Sequence, residues 1–416
     1  MLTRRRFLQA VGGTSFFTMV SPTLALARAD SERRFLFIFL RGGVDGLSAV
    51  PAVGDPDFLR VRGTLADPMP GSGERFASRD LNGFFALNHD LGYLHSLYQE
   101  EQMLSIHAAA SPYRERSHFD AQDVMENGTG SKAERSGFLN RAVAALPGVF
   151  TNGRPDVALG FGPVLQLALR GPESVGNWSP PSLPSADSDT IARIADLYAA
   201  DPVLGAALAN AQSANAMAAE MSMTGMMEDM GGSGSTAGFL QMTEVAATFL
   251  RSDDGPRVAA IDFGNWDSHA NQNQRSLDSN LKFAGRFPEM YRGLDNGVRR
   301  LREGLGDKVW NKTVIAIVTE FGRTVSINGT HGTDHGTAGA MFLVGGAVSG
   351  GRVIADWPGL KPGDLHESRD LRPTTDIRSV FKGILHDHMQ IAEGVLEDRV
   401  FPDSRKLKAM EGLIRT

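Results

Sequence analysis

The sequence predicts an α/β protein built on a mostly parallel sheet. Five short apolar runs lack polar alternation, the pattern of strands covered on both faces. Segments of helical periodicity lie between them, so strands and helices alternate along the chain. Of 416 residues, 42% are hydrophobic and 22% charged. That is near the globular average and excludes collagen-like, coiled-coil and wholly disordered chains.

In chain order, the first element is a targeting segment. Thr3-Arg4-Arg5-Arg6-Phe7-Leu8-Gln9 precedes a stretch of small apolar residues and then Ala25-Leu26-Ala27-Arg28-Ala29, with its small-x-small cleavage positions. This is the layout of a secretory signal, and the arginine pair before Phe-Leu resembles a twin-arginine signal. The expectation is a signal peptide at 1–29, the twin-arginine translocase as partner during export, and a folded protein delivered to the periplasm or secreted. Gly12, Gly13, Thr14 and Ser15 interrupt the apolar stretch, and no later segment reaches eighteen uninterrupted apolar residues. No stable membrane insertion is therefore expected.

The five strand candidates are Arg34 to Leu40, Met103 to Ala108, Arg257 to Asp262, Thr313 to Val318 and Ala340 to Val344. Helical patterns fall near 90–101, 118–126, 137–146, 190–200, 239–251, 280–304 and 374–385. The segment at about 203–238 is different. Met217, Met221, Met223, Met226, Met227 and Met230 crowd together before Gly231-Gly232-Ser233-Gly234-Ser235. Strand candidates lie on both sides of it, so residues 30–416 read as one domain with a Met- and Gly-rich insertion. Its methionines fit an amphipathic surface helix or loop, or else soft thioether ligation of Cu(I).

The chain has no Cys and a net charge of −6. The first excludes disulfides, thiolate metal sites and a cysteine nucleophile. The second argues against nucleic acid as a partner. The segment 1–29 holds four Arg and no acid, which leaves the remainder near −10.

Four polar clusters follow strand candidates, where open α/β sheets build their sites. After the first comes Gly42-Gly43-Val44-Asp45-Gly46, either a tight turn or a turn whose Asp45 binds a hard cation. After the second comes Arg116-Ser117-His118-Phe119-Asp120-Ala121-Gln122. Ser117 has capping-box spacing to Asp120, and the same helix start would suit a nucleophile, with His118 as base or ligand. The third cluster holds Asp262, Asp267 and His269, costly to bury unless paired or ligating. The fourth joins Glu320 and Arg323 to His331, Asp334 and His335. It offers a divalent-metal half-site, with Arg323 able to clamp an oxyanion, or a structural salt-bridge network. His386-Asp387-His388 ends a helix and is expected to face solvent. No P-loop, GxGxxG, HExxH or GxSxG motif occurs, and Ser111-Pro112-Tyr113-Arg114 lacks the S-x-P-x-R spacing of formylglycine sulfatases.

Taken together, the twin-arginine start, Leu40-Arg41-Gly42-Gly43-Val44-Asp45-Gly46-Leu47, the Arg116–Gln122 box, Trp266-Asp267-Ser268-His269-Ala270-Asn271-Gln272, Glu320-Phe321-Gly322-Arg323-Thr324 and Gly332-Thr333-Asp334-His335-Gly336 resemble the "domain of unknown function 1501" family, an uncharacterised family placed in the alkaline phosphatase and sulfatase superfamily. The resemblance implies an alkaline-phosphatase-like three-layer sandwich with metal ligands at strand ends. It implies Asp45, Asp262, Asp267, His269, Glu320 and His335 as metal carriers and Ser117 as nucleophile; the clusters themselves add Asp334 as a metal carrier and His118 and Arg323 as catalytic candidates. The metal would be a divalent ion: zinc, calcium, magnesium or manganese. The sequence departs from the superfamily at Glu320-Phe321-Gly322, which stands where an Asp-His pair is usual, and at Asn271, which stands where phosphatases carry a His. The expected function is an exported metal-dependent hydrolase of a phosphate or sulfate ester or related small anionic substrate. The alternative is a non-catalytic periplasmic binding or assembly protein on the same fold.

Overall fold

The computed structural model describes residues 32–147, 157–179, 188–198, 235–273 and 285–415, with a few positions between 201 and 212. The signal segment 1–29 and the methionines of 217–230 lie outside the described residues. The main strands are β1 (Arg34–Leu40), β2 (Met103–Ala110), β3 (Ala158–Phe161), β4 (Gly176–Trp178), β5 (Val258–Phe263), β6 (Thr313–Thr319), β7 (Gly339–Val344), β8 (Arg352–Ile354) and β9 (Thr375–Asp376). Among the described residues these nine form one sheet in the order β8-β2-β7-β6-β1-β5-β3-β4, with β9 also on β2. All neighbours are parallel except β7, which runs antiparallel to both β6 and β2.

The central strand explains the three layers. Every residue of β1 is buried. Leu36, Ile38 and Leu40 point to one face, Phe35, Phe37 and Phe39 to the other, as a period of two requires. The first face is covered by α2 (Gly92–Gln99), α5 (Thr236–Arg251) and α6 (Arg286–Trp310), through Leu94, Phe239, Leu294 and Val298. The second is covered by α4 (Phe138–Val143) and α7 (Ile377–Gly383). There Phe37 meets Phe138 edge-on, with ring centres 5.6 Å apart. Each such buried side chain contributes about 1.5–3 kcal/mol. Helix, sheet, helix: this is the alkaline-phosphatase-like three-layer sandwich that the family resemblance implies.

All five expected strands are present. Strands β3 and β4 were not expected, being only four and three residues long, with Gly160 inside the first and Gly176 at the start of the second. His388 corrects a sequence expectation. It is 2% exposed, not solvent-facing. Its Nε2 bonds the Arg34 carbonyl at 2.9 Å, and burial pushes its pKa down to about 4. Among the described residues no helix is long and apolar enough to cross a membrane.

Candidate metal centre

Strands β1, β2, β5 and β6 run the same way, so their carboxyl ends share one edge of the sheet. Because β7 is antiparallel, its beginning lies at that edge too. The connections after β1 (41–45), β2 (111–117), β5 (264–273) and β6 (320–338) therefore converge. The second leads into α3 (His118–Asn127), whose first residue is His118.

Three imidazoles surround the Asp267 carboxylate. His118 Nε2 lies 3.6 Å from Asp267 Oδ2; His335 Nε2 and His269 Nε2 lie 3.4 and 2.9 Å from Oδ1. In each ring the other nitrogen faces an acceptor. His118 Nδ1 is 2.7 Å from Glu320 Oε1, His269 Nδ1 is 3.1 Å from Asp334 Oδ1, and His335 Nδ1 is 3.1 Å from the Arg116 carbonyl. An acceptor at Nδ1 fixes the proton there, leaving the Nε2 lone pair for a ligand. In His118 and His335 those lone pairs face each other, with the Nε2 atoms 3.0 Å apart.

Neutral rings so arranged place acceptor against acceptor beside a carboxylate, which calls for a cation between them. The spacing suits one. Ligand atoms of His118, Asp267 and His335 all lie within 4.8 Å of one another. A tetrahedral site with bonds of 2.0–2.2 Å has ligand-to-ligand edges of roughly 3.3–3.6 Å. His118 Nε2 and His335 Nε2 lie 3.0 Å apart, and each lies near that edge length from its own Asp267 oxygen, 3.6 Å from Oδ2 and 3.4 Å from Oδ1.

The support behind these residues is buried and polar. Arg323, 2% exposed, donates Nε to the Gly43 carbonyl at 2.6 Å, and Nη2 to the Gly42 carbonyl at 2.5 Å and to Asp267 Oδ1 at 2.8 Å. Burial raises the Asp267 pKa, but the Arg323 bond and charge outweigh it and hold the carboxyl at about 2. For Glu320, burial is likewise outweighed, here by hydrogen bonds from His118 and Gln122, and its pKa falls. Its Oε1 also accepts Gly42 N at 2.9 Å. Burial, above all, lowers the pKa of His335, which favours its neutral form. Two backbone devices bring these parts close. Gly42 has φ 126°, and a Cβ there would overlap the Asp267 amide. Arg116 has φ 62°, held by its bond from Nε to Asp370 Oδ2 at 2.8 Å, and so turns its carbonyl to His335. Such strain persists only where the surroundings enforce it.

The residues read from the sequence thus take different places. Asp267, His269 and His335 meet, joined by His118. Glu320 and Asp334 stand behind them, each on an imidazole Nδ1. Asp45 lies apart, 1% exposed. It caps α1 (Gly46–Ala49), is paired with Arg62, and accepts Ser48 Oγ at 2.8 Å and Gln272 Nε2 at 2.6 Å. Asp262 pairs with Arg41 at 3.0 Å. Arg323 spends its donors on carbonyls and on Asp267. Ser117 occupies the N-cap of α3, yet its hydroxyl makes no capping bond, so it remains free beside His118. Gln122, quoted within the Arg116–Gln122 box but given no role there, donates to Glu320. Its place one helical turn after His118 is the signal that could have found it.

Fold and site together define a three-layer α/β protein carrying a cluster able to coordinate a divalent cation. The chain belongs to the family described as Protein of unknown function (DUF1501), which matches residues 32–401. No curated protein matches the chain. Among solved structures it is similar to Ps i-CgsB in complex with k-i-k-neocarrahexaose, with 9% identity, 87% of this chain and 73% of that chain covered and a TM-score of 0.41. It is also similar to a candidate sulfatase from Bacteroides thetaiotaomicron VPI-5482, with 10% identity, 92% and 76% covered and a TM-score of 0.41. The PsFucS1 sulfatase from Pseudoalteromonas sp. has 10% identity, 79% and 65% covered and a TM-score of 0.34.

Proposed function

We propose that the protein is an exported, metal-dependent hydrolase of a phosphate or sulfate ester or a related small anionic substrate. The observation that carries this reading is the fixed set of imidazole Nε2 atoms around Asp267, each backed by an acceptor on Nδ1. His118, Asp267 and His335 would hold the divalent cation, with His269 as a further ligand. When bound, such an ion polarises an ester oxygen and acidifies a coordinated water.

The remaining roles belong to the chain itself. Glu320, Asp334 and the Arg116 carbonyl hold the imidazoles in their ligating tautomer. Arg323 fixes the Asp267 carboxylate and ties it to the Gly42-Gly43 turn. The free hydroxyl of Ser117, at the start of α3 among unpaired backbone N–H groups, is the nucleophile in this reading, and an anion is favoured at the same helix end. Twin-arginine export delivers the folded protein across the membrane.

The test is elemental analysis of the purified protein together with turnover of aryl phosphate and aryl sulfate esters, with Ser117→Ala and Asp267→Asn as controls. One bound divalent ion, and turnover lost in both variants, is expected. Metal-free protein without turnover overturns the reading. For export, Arg4→Lys with Arg5→Lys is expected to leave the precursor in the cytoplasm.

A further inference from the structure

The two imidazoles that face each other come from separate parts of the chain. His118 opens α3, and His335 lies in the connection 320–338. A short loop joins those parts. Residues 366–371 are laced to the connection by Val325 N to the Arg369 carbonyl at 3.2 Å and by Thr337 Oγ1 to the Leu371 carbonyl at 2.8 Å. The loop closes on itself between His366 and Asp370, whose backbones bond in both directions at 2.8 and 3.0 Å.

From this loop Asp370, 0% exposed, reaches across to the residue before Ser117. Its Oδ2 accepts both Nε and Nη2 of Arg116 at 2.8 Å, while Arg369 Nη1 lies 3.1 Å from Oδ1. A planar guanidinium held through two nitrogens on a buried carboxylate has little freedom to swing. Glu367 also pairs with Arg116, but its side chain is 61% exposed, and a pair so open to water holds little.

Arg116 needs that hold. Its φ of 62° is disfavoured for any residue with a Cβ. Released, the backbone would return to negative φ and turn the peptide between Arg116 and Ser117 with it. The carbonyl of that peptide is the acceptor on His335 Nδ1 at 3.1 Å. Once it leaves, the acceptors beside the ring are those at Nε2: Asp267 Oδ1 at 3.4 Å and His118 Nε2 at 3.0 Å. The hydrogen would then pass to Nε2 and cover the lone pair that faces the cluster.

We infer that Asp370 is a positioning residue of the centre: it holds Arg116 in the conformation that aims its carbonyl at His335 and so keeps the Nε2 lone pair open. That this lone pair receives a metal rests on the proposed function; the positioning itself does not.

Long-range 1H–15N correlation spectra of the full, metal-free chain, labelled with 15N-histidine and held at about pH 8, above the ordinary imidazole range, report which nitrogen carries the hydrogen. The signals of His335 are those lost in His335→Gln. The wild type is expected in the Nδ1–H form and Asp370→Ala in the Nε2–H form. Arg116→Gly is expected to keep Nδ1–H, because glycine takes positive φ freely, and Arg116→Ala to lose it. Neither variant of that pair has a guanidinium and both leave Asp370 beside Arg369, so they decide the matter should Asp370→Ala fail to fold. Zinc affinity in competition titrations should fall about tenfold or more in Asp370→Ala and Arg116→Ala, and stay within about threefold in Arg116→Gly. The inference is overturned by an Nε2–H form in the wild type, by an unchanged form in Asp370→Ala, or by Arg116→Gly and Arg116→Ala behaving alike. The expected forms in a chain that binds no zinc would remove the metal reading and leave this one standing. Zinc bound equally by every variant would do the reverse.

Discussion

Asp45 follows β1 and Asp267 follows β5, the neighbouring strand, yet the two carboxylates are finished in opposite ways. Asp45 is closed from within. Arg62 supplies the positive charge, Ser48, Gln272 and the Leu47 and Ser48 backbone N–H groups the remaining donors, and only 1% of Asp45 is exposed. Asp267 has one arginine partner and a side chain 47% exposed. Its other neighbours are imidazoles whose outer nitrogens are already committed. An acid becomes structural when an internal cation reaches it. It becomes a candidate ligand when its neighbours bring lone pairs, so that the missing charge must come from outside.

The largest effect that would break this contrast is on stability. Arg62→Ala leaves Asp45 as an uncompensated buried charge and is expected to cost about 3–5 kcal/mol in urea unfolding. His335→Ala, at a half-buried position, is expected to cost about 1 kcal/mol or less in the same assay. Equal losses would mean that the two centres are alike in kind.

Acid sharpens the contrast between sealed and open imidazoles. Burial depresses the pKa of both His107 and His388 to about 4, whereas the unfolded chain titrates near 6.5. Their neutral forms therefore stabilise the fold fully above pH 6.5. That contribution, about 3 kcal/mol per residue, is lost as pH falls from 6.5 towards 4. Unfolding free energies measured across that window should fall steeply in the wild type and less steeply in His388→Gln. Parallel curves would contradict the assignment.

Smaller effects probe the open centre alone. Glu320→Gln removes the carboxylate behind His118 and should weaken zinc affinity roughly 10–100-fold in competition titrations; His118→Ala should weaken it further. An unchanged affinity in Glu320→Gln would show that the Nδ1 partner does not matter. Ser117→Ala should be smallest in stability. An N-cap serine is ordinarily worth about 1 kcal/mol, but this hydroxyl makes no capping bond. A change within about 0.5 kcal/mol is expected, and a full capping loss would return Ser117 to a purely structural role.

Much of the framework was legible because apolar runs report burial directly. Phe35 to Leu40 and Val314 to Val318 could hardly be anything but covered strands. The polar clusters were legible as clusters because they follow those strands. Their division of labour was not. Asp45, Glu320 and Asp267 look alike in sequence, and what separates them is which distant group arrives: Arg62, His118 or Arg323. Those contacts span 17, 202 and 56 residues, beyond any local pattern. His388 was misplaced for a related reason. A lone imidazole can be buried neutral once a single carbonyl satisfies it, and the Arg34 carbonyl is far away in sequence.

The antiparallel strand β7 has a further consequence, in the order of assembly. It makes the connection 320–338 a hairpin, laced by Gly322 N to Thr337 O, Gly336 N to Gly322 O and Thr324 N to Asp334 O, each at 2.9 Å. Glu320, Arg323, Asp334 and His335 all lie on it. Closing so short a loop costs less chain entropy than bringing in His118 or Asp267 from the far side of the sequence. Half of the centre is thus written into contacts of low sequence separation, the kind that form fastest. The hairpin can present His335 as a template before the two distant ligands arrive.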